Sequence, residues 1–221
     1  MMSTARITAL FVVVALANTA SGAGSTPDVI DLSHAAIIAP GDHAITKTAQ
    51  RMLIEEIEKR TRLRLRASDQ FAEKTRAAIL LCRVGDEPAE WREIVAAMNV
   101  PKQPEAFAIA VDTSGAAPVV VLAGRDARGV LYAVGRLLLR MTLKPGGIEM
   151  PSGFRVATSP RYPHRGHQIG YRNLAHCYDA WTPETYEQYM RELAVFGANA
   201  FETTSFSVDG RDGPHARLTG G

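Results

Sequence analysis

The residues best suited to chemistry lie between positions 171 and 181, with a glutamate on the strand that is predicted to follow. The stretch is rich in aromatic, basic and amide side chains. Aromatic rings stack on the faces of sugar rings, while guanidinium, amide and carboxylate groups bond to hydroxyls. We therefore predict a carbohydrate site formed by Tyr171, Arg172, Asn173, Trp181 and Glu202. The alternative is a solvated loop whose aromatic residues only cover the end of the fold.

A strand, a helix and a second strand are predicted to hold these residues. Residues 164–170 fit a strand that ends at a glycine, and Thr182 suits the N-cap of a helix that Gly197 ends. A second strand starts at 199–201 and carries Glu202 near its C-terminal end. This β-loop-α-β order is the repeat of (β/α)8 barrels, whose ligands bind at the C-terminal ends of the strands.

The preceding residues predict a smaller α/β domain over 28–150. Residues 77–84 form a continuous apolar run, which is typical of a strand covered on both faces. Helical and strand-like segments lie on either side of this run, so the fold class is α/β, with helices covering a sheet. Prolines concentrate in 151–162, where we expect a linker, and a second domain is expected over 163–221.

Residues 124–129 (GRDARG) join a predicted strand to a predicted helix. A strand, a glycine and a helix N-terminus can together bind an anion, so one interpretation is a nucleotide or phosphate site. The segment lacks the G-x-G-x-x-G spacing and is not a Walker loop. The other interpretation is a tight strand-to-helix turn, in which Gly129 and Gly135 let the helix approach the sheet closely.

We expect neither a metal nor a cofactor. His164 and His167 are spaced like a possible metal pair, but residues three apart on a strand point to opposite faces. A metal site would need further ligands, and no cysteine spacing suggests one. Cys82 falls in a predicted buried strand and Cys177 in the polar loop, so we expect two unrelated thiols.

The charge pattern argues against a nucleic-acid partner. The sequence has 25 basic and 23 acidic residues, a formal net charge of +2, and the two signs are interleaved. Nucleic-acid binding needs a basic patch or stripe, and no long basic run occurs.

Residues 1–23 have the pattern of a secretory signal peptide. Arg6 precedes an apolar run over 7–17, and small residues follow. The run is shorter than the ~20 residues that span a bilayer. We therefore expect a secreted or periplasmic protein that has no membrane attachment after the signal is cleaved.

Two ordered motifs carry a family resemblance. Residues 119–138 (VVVLAGRDARGVLYAVGRLL) followed by 159–166 (SPRYPHRG) resemble the junction in β-N-acetylhexosaminidases and α-glucuronidase-type glycoside hydrolases. The resemblance implies a small α/β domain before a (β/α)8 barrel whose first strand begins at Arg165. It also implies that Arg172 binds a sugar hydroxyl. The aspartate that precedes this arginine in hexosaminidases is absent here, and Arg172 stands one residue earlier.

The same resemblance places the catalytic acids on later barrel strands, so we expect no catalytic residue in this chain. A whole barrel takes ~250 residues, far more than follow Arg165. The expectation is therefore the N-terminal portion of an exported glycoside hydrolase with an incomplete barrel, whose partners are a carbohydrate substrate and the remainder of the barrel. Most glycosidases use two carboxylates, and Asp179 with Glu202 is the alternative pair here. A non-catalytic exported module that binds carbohydrate or docks a partner domain is the alternative function.

Overall fold

The computed structural model describes residues 28–72, 75–169 and 181–203. The predicted signal peptide, residues 1–23, lies outside these ranges. The helices and strands, numbered in chain order, are β1 (Val29–Asp31), β2 (Ala36–Ile38), α1 (Ala44–Thr61), β3 (Arg66–Ser68), β4 (Ala78–Arg83), α2 (Arg92–Ala97), β5 (Phe107–Asp112), β6 (Val119–Gly124), α3 (Ala127–Leu138), β7 (Thr142–Lys144), β8 (Gly147–Pro151), β9 (Arg155–Thr158), β10 (Gly166–Ile169), α4 (Pro183–Val195) and β11 (Ala200–Thr203).

A six-stranded sheet forms the centre of the first part of the chain, in the order β3-β2-β4-β6-β5-β9. The first four of these strands are parallel, whereas β5 and β9 run antiparallel to their neighbours. Side chains of β4 alternate between two buried clusters: Ile79 and Leu81 pack with α1 and α3, and Leu80 packs on the other face with Trp91. The prediction of a strand covered on both faces is confirmed.

Helix α3 lies against the sheet at unusually short range. A Cβ on Gly124 would lie 2.4 Å from the backbone nitrogen of Val130, and one on Gly129 would lie 2.3 Å from the carbonyl oxygen of Ala106. The carboxylate of Asp126 caps the helix, accepting a hydrogen bond from the Gly129 N–H at 2.9 Å. An acidic side chain therefore occupies the helix N-terminus, which fits the tight turn and leaves the phosphate interpretation without support.

The region predicted as a linker, 151–162, contains strand β9. This strand pairs with β5 and forms one edge of the six-stranded sheet. Just before it, β8 joins β1 and β7 in a separate three-stranded antiparallel sheet. The chain leaves this part of the fold only after Thr158, and we call residues 28–158 the N-terminal layer.

Strand β10, helix α4 and strand β11 form a parallel β-α-β arrangement, which we call the C-terminal unit. The two strands pair in register from Gly166 with Ala200 onward. Thr182 caps α4 as predicted, with Pro183 at its start, and Gly197 follows its end with φ 109°. The α/β fold class is confirmed. That this unit begins a barrel stays a prediction.

Cys82 is a free, buried thiol, and burial raises its pKa to about 12. The thiol donates to the Leu122 carbonyl at 3.8 Å. Cys177 lies outside the described residues, so the expectation of two unrelated thiols stays a prediction. Within the described ranges, no helix is both long and apolar enough to cross a bilayer.

We predict that Gly129→Ala destabilises the chain, because the new methyl group would overlap the Ala106 carbonyl, which is backbone and cannot move aside easily. The expected loss is about 1–3 kcal/mol in the free energy of unfolding, measured by urea titration. Gly153→Ala is the control, since a Cβ there meets nothing within 4 Å. Equal stability of the two variants would contradict the close packing of α3.

Candidate functional site

The structure places two of the five predicted sugar ligands. Trp181 and Glu202 fall within the described residues, whereas Tyr171, Arg172 and Asn173 lie outside them. Asp179, the alternative catalytic partner of Glu202, also lies outside.

Glu202 faces away from helix α4. It pairs in register with Gln168, so the two side chains share one face of the β10–β11 pair. Their neighbour His167 points to the opposite face, where its ring meets that of Tyr189 on α4 at 5.5 Å. Gln168 and Glu202 are both exposed. A carboxylate and an amide can accept from and donate to sugar hydroxyls, so this face can bind polar ligands.

Trp181 packs on the helix instead. Its ring contacts those of Tyr186 and Tyr189 edge-on, at 5.3 and 5.1 Å between centroids. It is half-buried and precedes the N-cap Thr182. The contacts fix the Trp181 ring against the first turns of α4.

The most extensive polar contacts of the described residues join the N-terminal layer to the C-terminal unit. Their centre is Glu105, which is 5% exposed. Its carboxylate accepts from Arg165 at 2.5 Å, from Arg128 at 3.0 Å and from Asn199 at 3.3 Å. We call these four residues the junction cluster. The Glu105 N–H donates to Asp126 at 2.8 Å, so the cap of α3 also holds the cluster's central acid.

All three nitrogens of the Arg165 guanidinium group donate hydrogen bonds, within the junction cluster and beyond it. Besides Glu105, it donates to the carbonyls of Gly197 and Tyr162, each at 2.7 Å. The guanidinium also lies over the ring of Tyr132 on α3, 5.3 Å from its centroid. Burial and the negative charge of Glu105 raise the pKa of Tyr132, although the nearby arginines oppose the shift. The hydroxyl of Tyr132 donates to the Ala198 carbonyl at 3.4 Å.

Asn199 forms hydrogen bonds to the residues just before β10. Its side-chain oxygen accepts from the Arg165 N–H at 2.9 Å, and its side-chain nitrogen donates to the Pro163 carbonyl at 2.7 Å. The backbone of Asn199 also donates to the Arg165 carbonyl at 2.7 Å. The starts of β10 and β11 are therefore fixed to each other and to the N-terminal layer.

Apolar packing supports the same junction. Val195 at the end of α4 is 1% exposed and belongs to the core cluster of the N-terminal layer. It approaches α3 so closely that a Cβ on Gly135 would lie 2.0 Å from its carbonyl oxygen. Helix α1 adds two polar contacts to α4: Lys59 to Gln188 at 2.8 Å, and an ion pair between Glu55 and Arg191.

The junction cluster is structural rather than catalytic. It lies at the N-terminal ends of β10 and β11, opposite the end at which parallel α/β folds bind their ligands. A cleft of about 470 Å³ opens beside it, lined also by Arg161 and His164. The Glu105 carboxylate is occupied by three donors from side chains of the fold. Among the described residues, no group of three histidine, cysteine or acidic side chains could hold a metal.

Sequence reasoning missed Glu105 and Asn199. Arg165 was noticed only through the family resemblance, and its role as a buried ion-pair partner was not predicted. A glutamate between a proline and an apolar strand gives one usable signal: an acid at the start of an otherwise buried segment needs a partner. The partner, Arg165, lies 60 positions further along the chain, so no local pattern identifies it.

The fold is similar to that of glycoside hydrolase family 20 enzymes. The exo-β-N-acetylglucosaminidase of Vibrio harveyi, solved with N-acetylglucosamine, matches 79% of this chain and 22% of its own, at 15% identity and TM-score 0.54. The β-N-acetylhexosaminidase of Streptomyces coelicolor matches 81% and 32%, at 16% identity and TM-score 0.55. The Streptomyces plicatus N-acetyl-β-hexosaminidase, in complex with Thio-NAglucal, matches 79% and 31%, at 16% identity and TM-score 0.53.

The hexosaminidase-like resemblance is thus confirmed for the fold, and the α-glucuronidase part stays a prediction. This chain spans a fifth to a third of the length of these solved structures. A scan against models of protein families finds no match, and a search among curated proteins finds none either.

We predict that Arg165→Lys loosens the C-terminal unit, because an ammonium group cannot bond Glu105 and two carbonyls in the fixed geometry of a guanidinium. The expected loss is about 2 kcal/mol, seen by hydrogen exchange as faster exchange of β10 and β11 amides than of β4 amides. Arg161→Lys, in the same cleft but exposed, is the matched control. Unchanged exchange in β10 and β11 of Arg165→Lys would show that the cluster does not hold the unit.

Proposed function

We propose that this chain is the N-terminal portion of an exported glycoside hydrolase that acts on O-glycosidic bonds of poly- or oligosaccharides. One observation carries the proposal. Residues 1–158 make up less than three quarters of the sequence, so fold matches covering 79–81% of it extend into the C-terminal unit. Most of the N-terminal layer, together with residues beyond 158, is therefore similar in fold to solved structures of an exo-β-N-acetylglucosaminidase and a β-N-acetylhexosaminidase.

In this proposal the C-terminal unit is the first β/α unit of a (β/α)8 barrel. Gln168 and Glu202 then face the barrel interior, and Tyr171, Arg172 and Asn173 follow β10 at its ligand-binding end. These side chains bind sugar hydroxyls and hold the substrate. The catalytic acids belong to later strands, so the chain alone binds carbohydrate without cleaving it. The apolar run over 7–17 supports export.

The N-terminal layer supports the first strand of the C-terminal unit, β10, and holds it in place. The junction cluster and the α3–α4 contact set the position of β10, and β10 sets the position of Glu202 through the register. A side chain must stay within about 1 Å of its working position to bind a substrate productively. Rigid attachment of the first strand therefore favours a substrate site at its other end.

A second candidate function is a non-catalytic module that binds carbohydrate. Its support is that the described carboxylate on the candidate face, Glu202, lies across from an amide rather than from a second acid. Both candidate functions require this chain to bind sugar. They differ in whether a complete barrel would also cleave the glycosidic bond.

We expect the purified chain to bind oligosaccharides weakly and to leave aryl N-acetylglucosaminides and aryl glucuronides uncleaved. Glu202→Gln should weaken binding about tenfold in calorimetric titration, because a hydrogen bond to a charged group contributes about 1.5–3 kcal/mol. Glu187→Gln is the control, since Glu187 is exposed on α4 and pairs with Arg191.

Two results would contradict the proposal. Absence of binding to any oligosaccharide would remove the carbohydrate function. Strong hydrolysis that is lost in Glu202→Gln would place a catalytic acid within this chain rather than on later strands. Joining the chain to further β/α units should produce hydrolysis if it is part of an enzyme, and binding alone if it is a module.

A further inference from the structure

A second cleft, of about 430 Å³, opens on the N-terminal layer far along the chain from Glu202. It lies at the N-terminal ends of the parallel strands β2, β3 and β4. Among the described residues that line it, the charged side chains are the basic ones of Arg64, Arg66 and Arg76, with His34 beside them. We call it the basic cleft. Its volume lies within the range of about 300–1,000 Å³ that small-molecule sites occupy.

The arginines enter the cleft from both sides of β2. Arg66 pairs in register with Ala36 on one side, while Arg76 lies just before Ala78, which pairs with Ala36 on the other. Adjacent strands are ~4.8 Å apart, so the two backbones lie about 10 Å from each other across β2. Two guanidinium groups whose backbones are this far apart can both bond one anionic group that lies between them. They can also bond two separate anionic groups of the same ligand.

The carboxylates of the described residues leave these charges largely uncompensated. Arg64 forms an ion pair with Glu58, but both side chains are exposed, and such pairs contribute at most about 1 kcal/mol. Asp31 lies close to His34, yet its carboxylate already accepts two hydrogen bonds from Ser33. The Ser33 N–H donates at 2.8 Å and the Ser33 hydroxyl at 2.5 Å. In the described part of the chain, no carboxylate pairs with Arg66 or Arg76.

We propose that the basic cleft binds an acidic saccharide unit, through its carboxylate or sulfate groups. The planar fork of arginine matches both oxyanions and bonds them in pairs. The Thr75 hydroxyl donates to the Ala72 carbonyl, and its oxygen can still accept a hydrogen bond from a sugar hydroxyl. The saccharide part of this inference rests on the proposed function. The oxyanion part rests on the cleft alone.

The test is calorimetric titration of this chain with four oligomers of equal length. Oligogalacturonate supplies carboxylates, a heparin-derived oligosaccharide supplies sulfates, a cello-oligosaccharide is neutral, and single-stranded DNA supplies phosphates. We expect one or both acidic saccharides to bind, with an affinity that falls as salt rises, and the neutral one not to bind at this cleft. The acidic saccharide that binds identifies the oxyanion.

The double variant Arg66→Ala/Arg76→Ala should weaken this binding by about tenfold or more, since it removes two charge-assisted hydrogen-bond donors from the cleft. Arg155→Ala is the matched control, because Arg155 is an exposed arginine on β9, at the opposite edge of the same sheet. Its affinity should stay within about twofold of the unaltered chain. Both variants change exposed side chains, and thermal unfolding checks that they remain folded.

Three results would overturn the proposal: no binding of either acidic saccharide, an equal loss in Arg155→Ala, or DNA binding as tight as saccharide binding. The first leaves the proposed function intact if the binding that depends on Glu202 persists, because the two sites use different residues. Loss of the Glu202-dependent binding alone would overturn the proposed function while leaving the basic cleft as an oxyanion site.

Discussion

The ion pair between Glu105 and Arg165 decides how the two parts of this fold meet. Both groups are largely withdrawn from water, and a buried charge is stable only when its partners satisfy it. Glu105 receives three side-chain donors, and Arg165 gives its remaining donors to two backbone carbonyls. These contacts hold the start of β10 against the N-terminal layer.

This constraint fixes one end of the C-terminal unit and leaves the other end for the proposed binding face. The junction cluster holds the N-terminal ends of β10 and β11, and Val195 packs into the core of the N-terminal layer. At the other end Gln168 and Glu202 share one exposed face. A parallel strand pair carries its position from one end to the other, because backbone hydrogen bonds fix the register along its length. The position of the proposed substrate face thus depends on contacts at the opposite end of the strand pair.

Local features of the fold could be predicted from the sequence, and its long-range contacts could not. The Asp126 and Thr182 caps were predictable because a cap involves neighbours three residues apart. Strand β9 was missed because surrounding prolines favour a linker, although edge strands tolerate proline nearby. Glu105 and Asn199 were missed because their partnership spans 94 positions, which no local pattern records. The candidate binding face was predictable only in part. The alternation of side chains along β11 places Glu202 on this face, whereas the position of Gln168 beside it follows only from the pairing of β10 with β11.

The most direct test of the ion pair is a double-mutant cycle on Glu105→Gln and Arg165→Met, read as the free energy of unfolding in urea. Removing one partner of a buried pair costs about 3–5 kcal/mol. Removing both leaves only Arg128 without its carboxylate, and that side chain is exposed to solvent. We predict that the double variant is more stable than the sum of the single losses implies, by about 2 kcal/mol or more. Additive losses, within about 0.5 kcal/mol, would contradict a coupled pair at the junction.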